Sequence, residues 1–264
     1  MSRRAVRPRT TGEKPDLRPV ILIHGAFSHG QHCGPLAEQL DAAGFACVAP
    51  TLPGHAPSDP RPLTRLGLPD YSAALERVRA DCRVPPVIIG HSMGGLLAQH
   101  LAATGPCAAL ICLATAPPGI LPAQWQALPL LAPLMPRMLS GLAIQPSAAT
   151  FRFLALQDLP RAEQDELAQS LGAESGRAYR SMILGTSRVC ASRVACPVLC
   201  VSGARDRIIS RAVAQRTARH YLAEHHILEG RGHWLLARSG IVSIATLVLD
   251  WLGRQGLHPT RHAV

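Results

Sequence analysis

The stretch VIIGHSMGGLLAQH, residues 87–100, contains the pattern that decides the fold. Its apolar start is typical of a buried strand, and the run that follows the glycines has the apolar spacing of a helix. Where strand should give way to helix, Ser92 stands between Gly90 and Gly94 in a Gly-x-Ser-x-Gly pattern. That pattern alone is compatible with an ordinary flexible turn, so the surrounding elements must decide what it means.

Strand-like and helix-like segments alternate on both sides of this turn. Short apolar runs such as RPVILI (18–23), FACVAP (45–50) and CPVLCVSG (196–203) predict strands of a parallel sheet, and segments with helical spacing separate them. A last helix is predicted from about Leu235 to Leu252. The alternation indicates an α/β protein with a doubly wound, mostly parallel sheet.

The alternation stops between residues 117 and 185, where the chain is rich in Pro, Leu and Ala and only helical patterns are visible. We therefore predict four segments. They are a disordered basic tail (1–18), the first half of the core (19–116), a helical insertion (117–185) and the second half of the core (186–264). The insertion is expected over the strand ends, because its two connections leave the sheet there.

The net charge of +10 does not by itself predict nucleic-acid binding. The first 18 residues carry six basic against two acidic side chains, and the remaining basic residues are dispersed arginines. We interpret the tail as a solvated segment and expect no nucleic-acid partner. With 47% hydrophobic and 17% charged residues, the rest of the chain has a globular composition.

Eight cysteines are scattered without a Cys-x-x-Cys pair, which favours free thiols in a reducing compartment over a disulfide framework or a zinc site. No export signal and no uncharged apolar run of membrane-spanning length are present, so we expect a cytoplasmic protein. Membrane contact is not expected, and no metal or cofactor is predicted.

Polar side chains follow four of the predicted strands. Ligands of open parallel sheets bind beyond the carboxyl ends of the strands, and Ser92, Asp206, His233 and the turn at His24–Ala26 all lie there. A serine hydroxyl needs a base, which His233 would supply, and a carboxylate such as Asp206 would hold the other imidazole nitrogen protonated. The main-chain N–H groups of Met93 and Ala26 would then stabilise an oxyanion.

Other interpretations of these residues remain open at this level. Ser92 could be a structural turn residue and His233 a capping or surface histidine. Asp206 could pair with Arg205 or Arg207 instead, leaving Glu229 as a remote competitor for the acid. Phe27 is predicted to contact substrate, with ordinary core packing as the alternative.

A second apolar stretch is the run GILPAQWQALPLLAPLMPRMLSGL, residues 119–142. Its apolar content suggests a greasy pocket, and Trp125 is predicted to contact substrate there. The alternative is that such residues only pack the insertion onto the core.

These motifs resemble those of the α/β-hydrolase fold family. The matching segments are HGAF (24–27), GHSMGG (90–95), GARDR (203–207) and GRGHW (230–234), in the chain order Ser, Asp, His. The resemblance implies an α/β-hydrolase fold with a helical cap, a triad of Ser92, Asp206 and His233, and an oxyanion hole at Ala26 and Met93.

The activity that this resemblance implies is cleavage of a small, largely apolar carboxylic ester through an acyl-enzyme. The same triad could act on a thioester, lactone, amide, C–C bond or cyanohydrin, and a non-catalytic ligand-binding homologue is a further alternative. The oligomeric state is left open.

Overall fold

A computed structural model describes residues 17–259 and confirms the predicted α/β architecture. Within that range, six strands form one parallel sheet in the order β2-β1-β3-β4-β5-β6. The strands are β1 (Pro19–Ile23), β2 (Ala46–Val48), β3 (Val87–His91), β4 (Ala109–Leu113), β5 (Val198–Gly203) and β6 (Glu224–Leu228).

Helices occupy the connections between strands. The core helices are α1 (Gly34–Ala42), α2 (Leu68–Ala80), α3 (Met93–Thr104), α9 (Arg211–His220) and α10 (Ile241–Arg254). The helices between β4 and β5 are α4 (Leu128–Leu131), α5 (Met135–Leu139), α6 (Ala148–Leu154), α7 (Arg161–Ser170) and α8 (Gly176–Leu184). No α-helix in the described range is both long and apolar enough to cross a membrane.

The sheet is buried on both faces because its side chains alternate between them. Val20 and Leu22 of β1 belong to one apolar cluster, which includes residues of α1 and α10. Ile21 and Ile23 belong to a second cluster, which includes residues of α2, α3 and α9. This alternation follows from the two-residue period of a strand, and it explains why the central strands are almost continuously apolar.

The edge strands differ from the predicted buried strands. β2 is exposed at two of its three residues, and β6 is at most half-buried along its length. Each of these strands has a neighbour on one side only, so it needs no continuous apolar sequence.

Residues 117–185, here called the cap, leave the sheet after β4 and return before β5. They contain the five helices α4–α8, as the helical pattern predicts, together with one antiparallel bridge between Ile144 and Glu174. The Ile144 N–H donates to the Glu174 carbonyl at 2.9 Å, and the Glu174 N–H donates to the Ile144 carbonyl at 2.8 Å. This bridge links the segment before α6 to the segment before α8.

The structure differs from the predicted boundaries in two places. The predicted disordered tail lies outside the described residues except for Leu17 and Arg18, and the Arg18 N–H donates to the Pro259 carbonyl at 2.6 Å as part of the core. The last helix begins at Ile241 rather than near Leu235. Residues 234–237 are buried as a loop that returns from the strand end, and the Trp234 N–H donates to Ala155 of the cap at 3.2 Å.

Candidate active site

Ser92 occupies a sharp turn between β3 and α3. Its backbone has φ 55° and ψ −120°, a conformation that a residue with a side chain adopts only at a cost. Two main-chain hydrogen bonds of 3.0 Å hold it, from the Ser92 N–H to the Leu113 carbonyl and from the Ala116 N–H to the Ser92 carbonyl. The end of β4 thus stabilises the strained turn at the end of β3.

The glycines beside Ser92 permit a close approach of backbone segments. A Cβ atom on Gly90 would collide with the carbonyl oxygen of Gly94, and one on Gly94 would collide with the carbonyl oxygens of Ile23 and His24. Residues 90 and 94 therefore need glycine because strand and helix pack too closely for any side chain.

The structure brings Ser92, His233 and Asp206 into one hydrogen-bonded chain. His233 Nε2 lies 3.0 Å from Ser92 Oγ, and His233 Nδ1 lies 2.8 Å from Asp206 Oδ2. Asp206 follows β5 and His233 follows β6, and both are buried. The three groups are arranged as nucleophile, base and orienting acid must be.

The other oxygen of Asp206 is also fully engaged. Asp206 Oδ1 accepts the main-chain N–H groups of Ile208 and Ile209 at 2.7 and 2.8 Å, which fixes the direction in which the carboxylate faces. Arg207 instead donates to the Phe153 carbonyl and lies 4.2 Å above the Phe153 ring.

The remote competitor for the acid is occupied elsewhere. Glu229 pairs with Arg211 at 3.1 Å, and four-fifths of its side chain is exposed. Among the described carboxylates, it is therefore Asp206 that the fold directs at His233.

Two main-chain N–H groups close to Ser92 in the fold, those of Met93 and Ala26, have no protein acceptor among the described residues. Met93 is the first residue of α3, and Ala26 lines the cavity beside Ser92. In residues 17–259, neither N–H takes part in a hydrogen bond. Free amides at a helix start and an adjacent turn are suited to stabilise a developing negative charge.

A narrow cavity of about 50 Å³ lies above Ser92 and His233. Its walls are mostly apolar, and the cap supplies many of them. The main cap side chains are Leu121, Leu131, Phe151, Leu154, Tyr179 and Met182. A wider surface depression of about 600 Å³ lies near Ile120 and Arg216, but it contains none of the residues of the Ser92 chain.

The two predicted substrate contacts have different positions. Phe27 lines the cavity with φ 64°, packed against the Phe151 and Tyr179 rings at centroid distances of 5.3 and 5.5 Å. The structure places Trp125 elsewhere: it is 77% exposed and does not line the cavity. Ala127, two residues further on, is buried but does not line the cavity either, and the nearest residue of this run that does is Leu131.

Two further histidines, His24 and His91, are buried close to Ser92 and form hydrogen bonds with main-chain groups of neighbouring loops. Burial, with a smaller contribution from neighbouring histidines, lowers the pKa of His24 and of His91 from the usual 6.5 to about 3. His24 Nε2 accepts the Leu52 N–H at 3.0 Å, and His91 Nε2 donates to the His233 carbonyl at 2.9 Å. Both are therefore neutral supports of their loops at ordinary pH.

Comparison with known proteins identifies the family. The model of the alpha/beta hydrolase family matches residues 20–258, nearly the whole described chain. The chain belongs to the alpha/beta hydrolase family. The predicted fold and family are thereby confirmed.

A curated relative with a similar sequence is an ester hydrolase. The chain is 31% identical over 219 residues to the pimeloyl-[acyl-carrier protein] methyl ester esterase of Chromobacterium violaceum, covering 75% of this chain and 79% of the relative. The prediction of a carboxylic ester hydrolase is confirmed at this level.

Solved structures show the same fold. A methylesterase protein, MES16, from Arabidopsis matches with a TM-score of 0.72 at 17% identity, over 90% of this chain and all of that one. A pyrethroid hydrolase from Sphingobium faniae matches with a TM-score of 0.72 at 21% identity, over 89% and 97%.

Sequence reasoning missed the residues whose position depends on the cap. The spacing of apolar residues in the cap does not distinguish Leu131 or Leu154, which line the cavity, from Leu128 or Leu139, which are exposed. Glu174 was also missed, although it is fully buried near the cavity. It stands in a short polar segment, where no pattern separates a buried carboxylate from an exposed one.

Proposed function

We propose that the chain is a serine esterase that uses Ser92, His233 and Asp206 to cleave a small, largely apolar carboxylic ester. The observation that carries the proposal is the hydrogen-bonded chain from Asp206 Oδ2 through His233 to Ser92 Oγ, with bonds of 2.8 and 3.0 Å. It ends at the wall of an apolar cavity, where an ester carbonyl would meet the hydroxyl.

In the acylation step, Ser92 Oγ attacks the ester carbonyl carbon while His233 Nε2 takes the hydroxyl proton. The tetrahedral oxyanion accepts hydrogen bonds from the Ala26 and Met93 N–H groups, each worth about 3 kcal/mol of barrier. Asp206 holds Nδ1 protonated and stabilises the imidazolium. The C–O bond to the alcohol then breaks, and the alcohol leaves with the proton from Nε2.

Deacylation repeats these steps with water. His233 Nε2 takes a proton from the water, whose oxygen attacks the acyl carbon, and the same two amides stabilise the second oxyanion. Collapse releases the carboxylic acid and returns the proton to Ser92 Oγ. The products are one alcohol and one acid, and the residues return to their starting protonation.

The cavity walls support an apolar, uncharged substrate. Apart from the histidines, the side chains lining the cavity carry no ionisable group except the buried phenol of Tyr179. A charged acyl group would lose its hydration there without a partner, whereas an aliphatic or aromatic group would be favoured. The narrowness of the cavity further favours small groups, and the methyl ester named for the Chromobacterium relative supports methyl esters as the first ones to test.

The test compares wild type with Ser92→Ala on methyl and p-nitrophenyl esters of acids of increasing chain length. Ser140→Ala is the matched control, since Ser140 is an exposed cap serine that does not line the cavity. We expect wild type and the control to turn over short esters at equal rates, and Ser92→Ala to lose at least about 10³-fold in kcat. Equal rates for Ser92→Ala and wild type would overturn the proposal.

A fluorophosphonate probe separates the remaining alternatives. Labelling of wild type but not of Ser92→Ala, together with ester turnover, supports the esterase. Labelling without turnover of any ester would overturn the ester assignment and leave the thioester, lactone, amide, C–C or cyanohydrin alternatives. Saturable ligand binding with neither labelling nor turnover would identify a non-catalytic homologue.

A further inference from the structure

Residues of the cap form hydrogen bonds with both the main-chain N–H and the main-chain carbonyl of Phe27. The Phe27 N–H donates to Glu174 Oε2 at 3.4 Å, and the Phe27 carbonyl accepts the Gly172 N–H at 2.8 Å. Both partners come from one short segment of the cap that precedes α8. The turn after β1 is thus tied to the cap through main-chain groups as well as through the packing of the Phe27 ring.

Burying the Glu174 side chain at this position carries a desolvation cost. Its side chain is fully buried, and a buried carboxylate is tolerated only when donors surround it. Its Oε1 accepts the Tyr71 hydroxyl at 2.8 Å and the Ser175 N–H at 2.7 Å, and its Oε2 lies 3.0 Å from His55 Nε2. These bonds fix the carboxylate against the core and leave Oε2 directed at the Phe27 N–H.

The backbone of Phe27 needs such support. Its φ of 64° is unfavourable for an aromatic residue, so surrounding contacts must stabilise that conformation. The peptide between Ala26 and Phe27 is planar, so holding the Phe27 N–H also holds the Ala26 carbonyl group and restrains the backbone rotation at Ala26. The Ala26 N–H, which lacks a protein acceptor in the described chain, lies on the other side of that rotation.

We propose that Glu174 is a positioning residue that sets the direction of the Ala26 N–H in the oxyanion hole. This inference rests on the proposed function, since it requires that Ala26 stabilises the oxyanion. Glu174 touches neither substrate nor the reacting atoms. It acts through the Phe27 peptide, so the cap that forms the substrate cavity also sets the geometry of the oxyanion site.

The experiment measures how strongly the enzyme prefers an ordinary ester over the matching thionoester, whose carbonyl oxygen is replaced by sulfur. A thiolate-like intermediate has a longer bond and a weaker acceptor, so it gains less from well-placed amides. Wild type, Glu174→Gln and Glu38→Gln are compared on both substrates, with kcat expressed per serine labelled by fluorophosphonate. Glu38 is an exposed residue of α1, so its variant controls for the loss of a carboxylate.

For Glu174→Gln we expect kcat on the ordinary ester to fall about 10- to 100-fold, because misplacing a reacting group by about 1 Å has effects of that size. KM should change less than about threefold, and the preference for the ester over the thionoester should fall by a similar 10- to 100-fold. Glu38→Gln should match wild type in kcat, in KM and in the preference for the ester over the thionoester. Glu174→Asp, which keeps a carboxyl group but shortens its reach to the Phe27 N–H, should show an intermediate preference and serves if the Gln variant does not fold.

Two results would overturn the positioning role. One is a fall in both rates by the same factor with an unchanged ester preference, which indicates only general structural damage. The other is a wild-type preference near one, which means that no oxyanion hole is operating. Failure of the proposed function is recognised separately, because Ser92→Ala would then retain wild-type rates.

Discussion

Replacing Asp206 by Asn tests the orientation of His233 with little change in shape. In the wild type, Asp206 Oδ1 accepts two N–H groups, from Ile208 and Ile209, while Oδ2 faces His233 Nδ1. An Asn side chain keeps the two N–H bonds only if its amide nitrogen faces His233. Nδ1 must then accept, so the ring proton moves to Nε2 and points at Ser92 Oγ. His233 can no longer accept the serine proton.

The size of the effect follows from the alternative orientation. If the amide flipped, its oxygen would face His233 and restore the correct tautomer, but the Ile208 and Ile209 N–H groups would lose their acceptor. Two buried unpaired donors cost about 2–6 kcal/mol together. The enzyme therefore works through whichever route costs less, the wrong tautomer at about 10⁴-fold in kcat or the rare flipped state at about 30- to 2 × 10⁴-fold. We expect a fall of about 30- to 10⁴-fold.

The assay is the steady-state kcat of Asp206→Asn on the best short ester at neutral pH, with Asp250→Asn as control, since Asp250 is an exposed residue of α10. Imidazole ¹⁵N chemical shifts report the tautomer directly and should show the proton on Nε2 in the variant. Thermal unfolding should change little because the two N–H bonds remain. A kcat within threefold of wild type would refute the reasoning that Asp206 orients His233.

Three further changes have defined outcomes. Gly94→Ala should prevent soluble expression or lower the unfolding midpoint sharply, because its Cβ would collide with the His24 carbonyl oxygen, and a normally stable variant would contradict that packing. His24 and His91 stay neutral in the folded protein but become protonated in the unfolded chain below pH 6.5. The free energy of unfolding is therefore at its full value above pH 6.5 and decreases as the pH falls toward 3. Urea unfolding at pH 4.5 should show a free energy of unfolding lower by about 2–3 kcal/mol for each of the two histidines than at pH 7.5. His91→Gln should reduce the total pH dependence by about that amount, and an unchanged dependence would refute the assignment. Leu131→Ala should shift the kcat/KM preference toward longer acyl chains by about 10-fold while the exposed Trp125→Ala leaves it unchanged, and identical chain-length profiles would show that Leu131 does not limit the cavity.

Local patterns were sufficient to predict the framework of the site. Strands, helices and the turn at Ser92 were recognisable because hydrophobic period and glycine placement act over a few residues. In a parallel sheet the carboxyl ends of the strands lie at one edge, so the order of elements alone predicted that Ser92, Asp206 and His233 would meet. In the structure, the three side chains are joined by hydrogen bonds of 2.8 and 3.0 Å.

The sequence by itself thus determined the fold class, the family motifs and the four loops of the candidate site. Only the tertiary structure decided which cap side chains line the cavity, why Trp125 is exposed and where the last helix begins. It also decided that Glu174, far along the chain, lies against the Phe27 peptide. The physical reason is that the helical period in the cap shows which residues share a helix face but not what that face packs against, since those neighbours are distant in the chain.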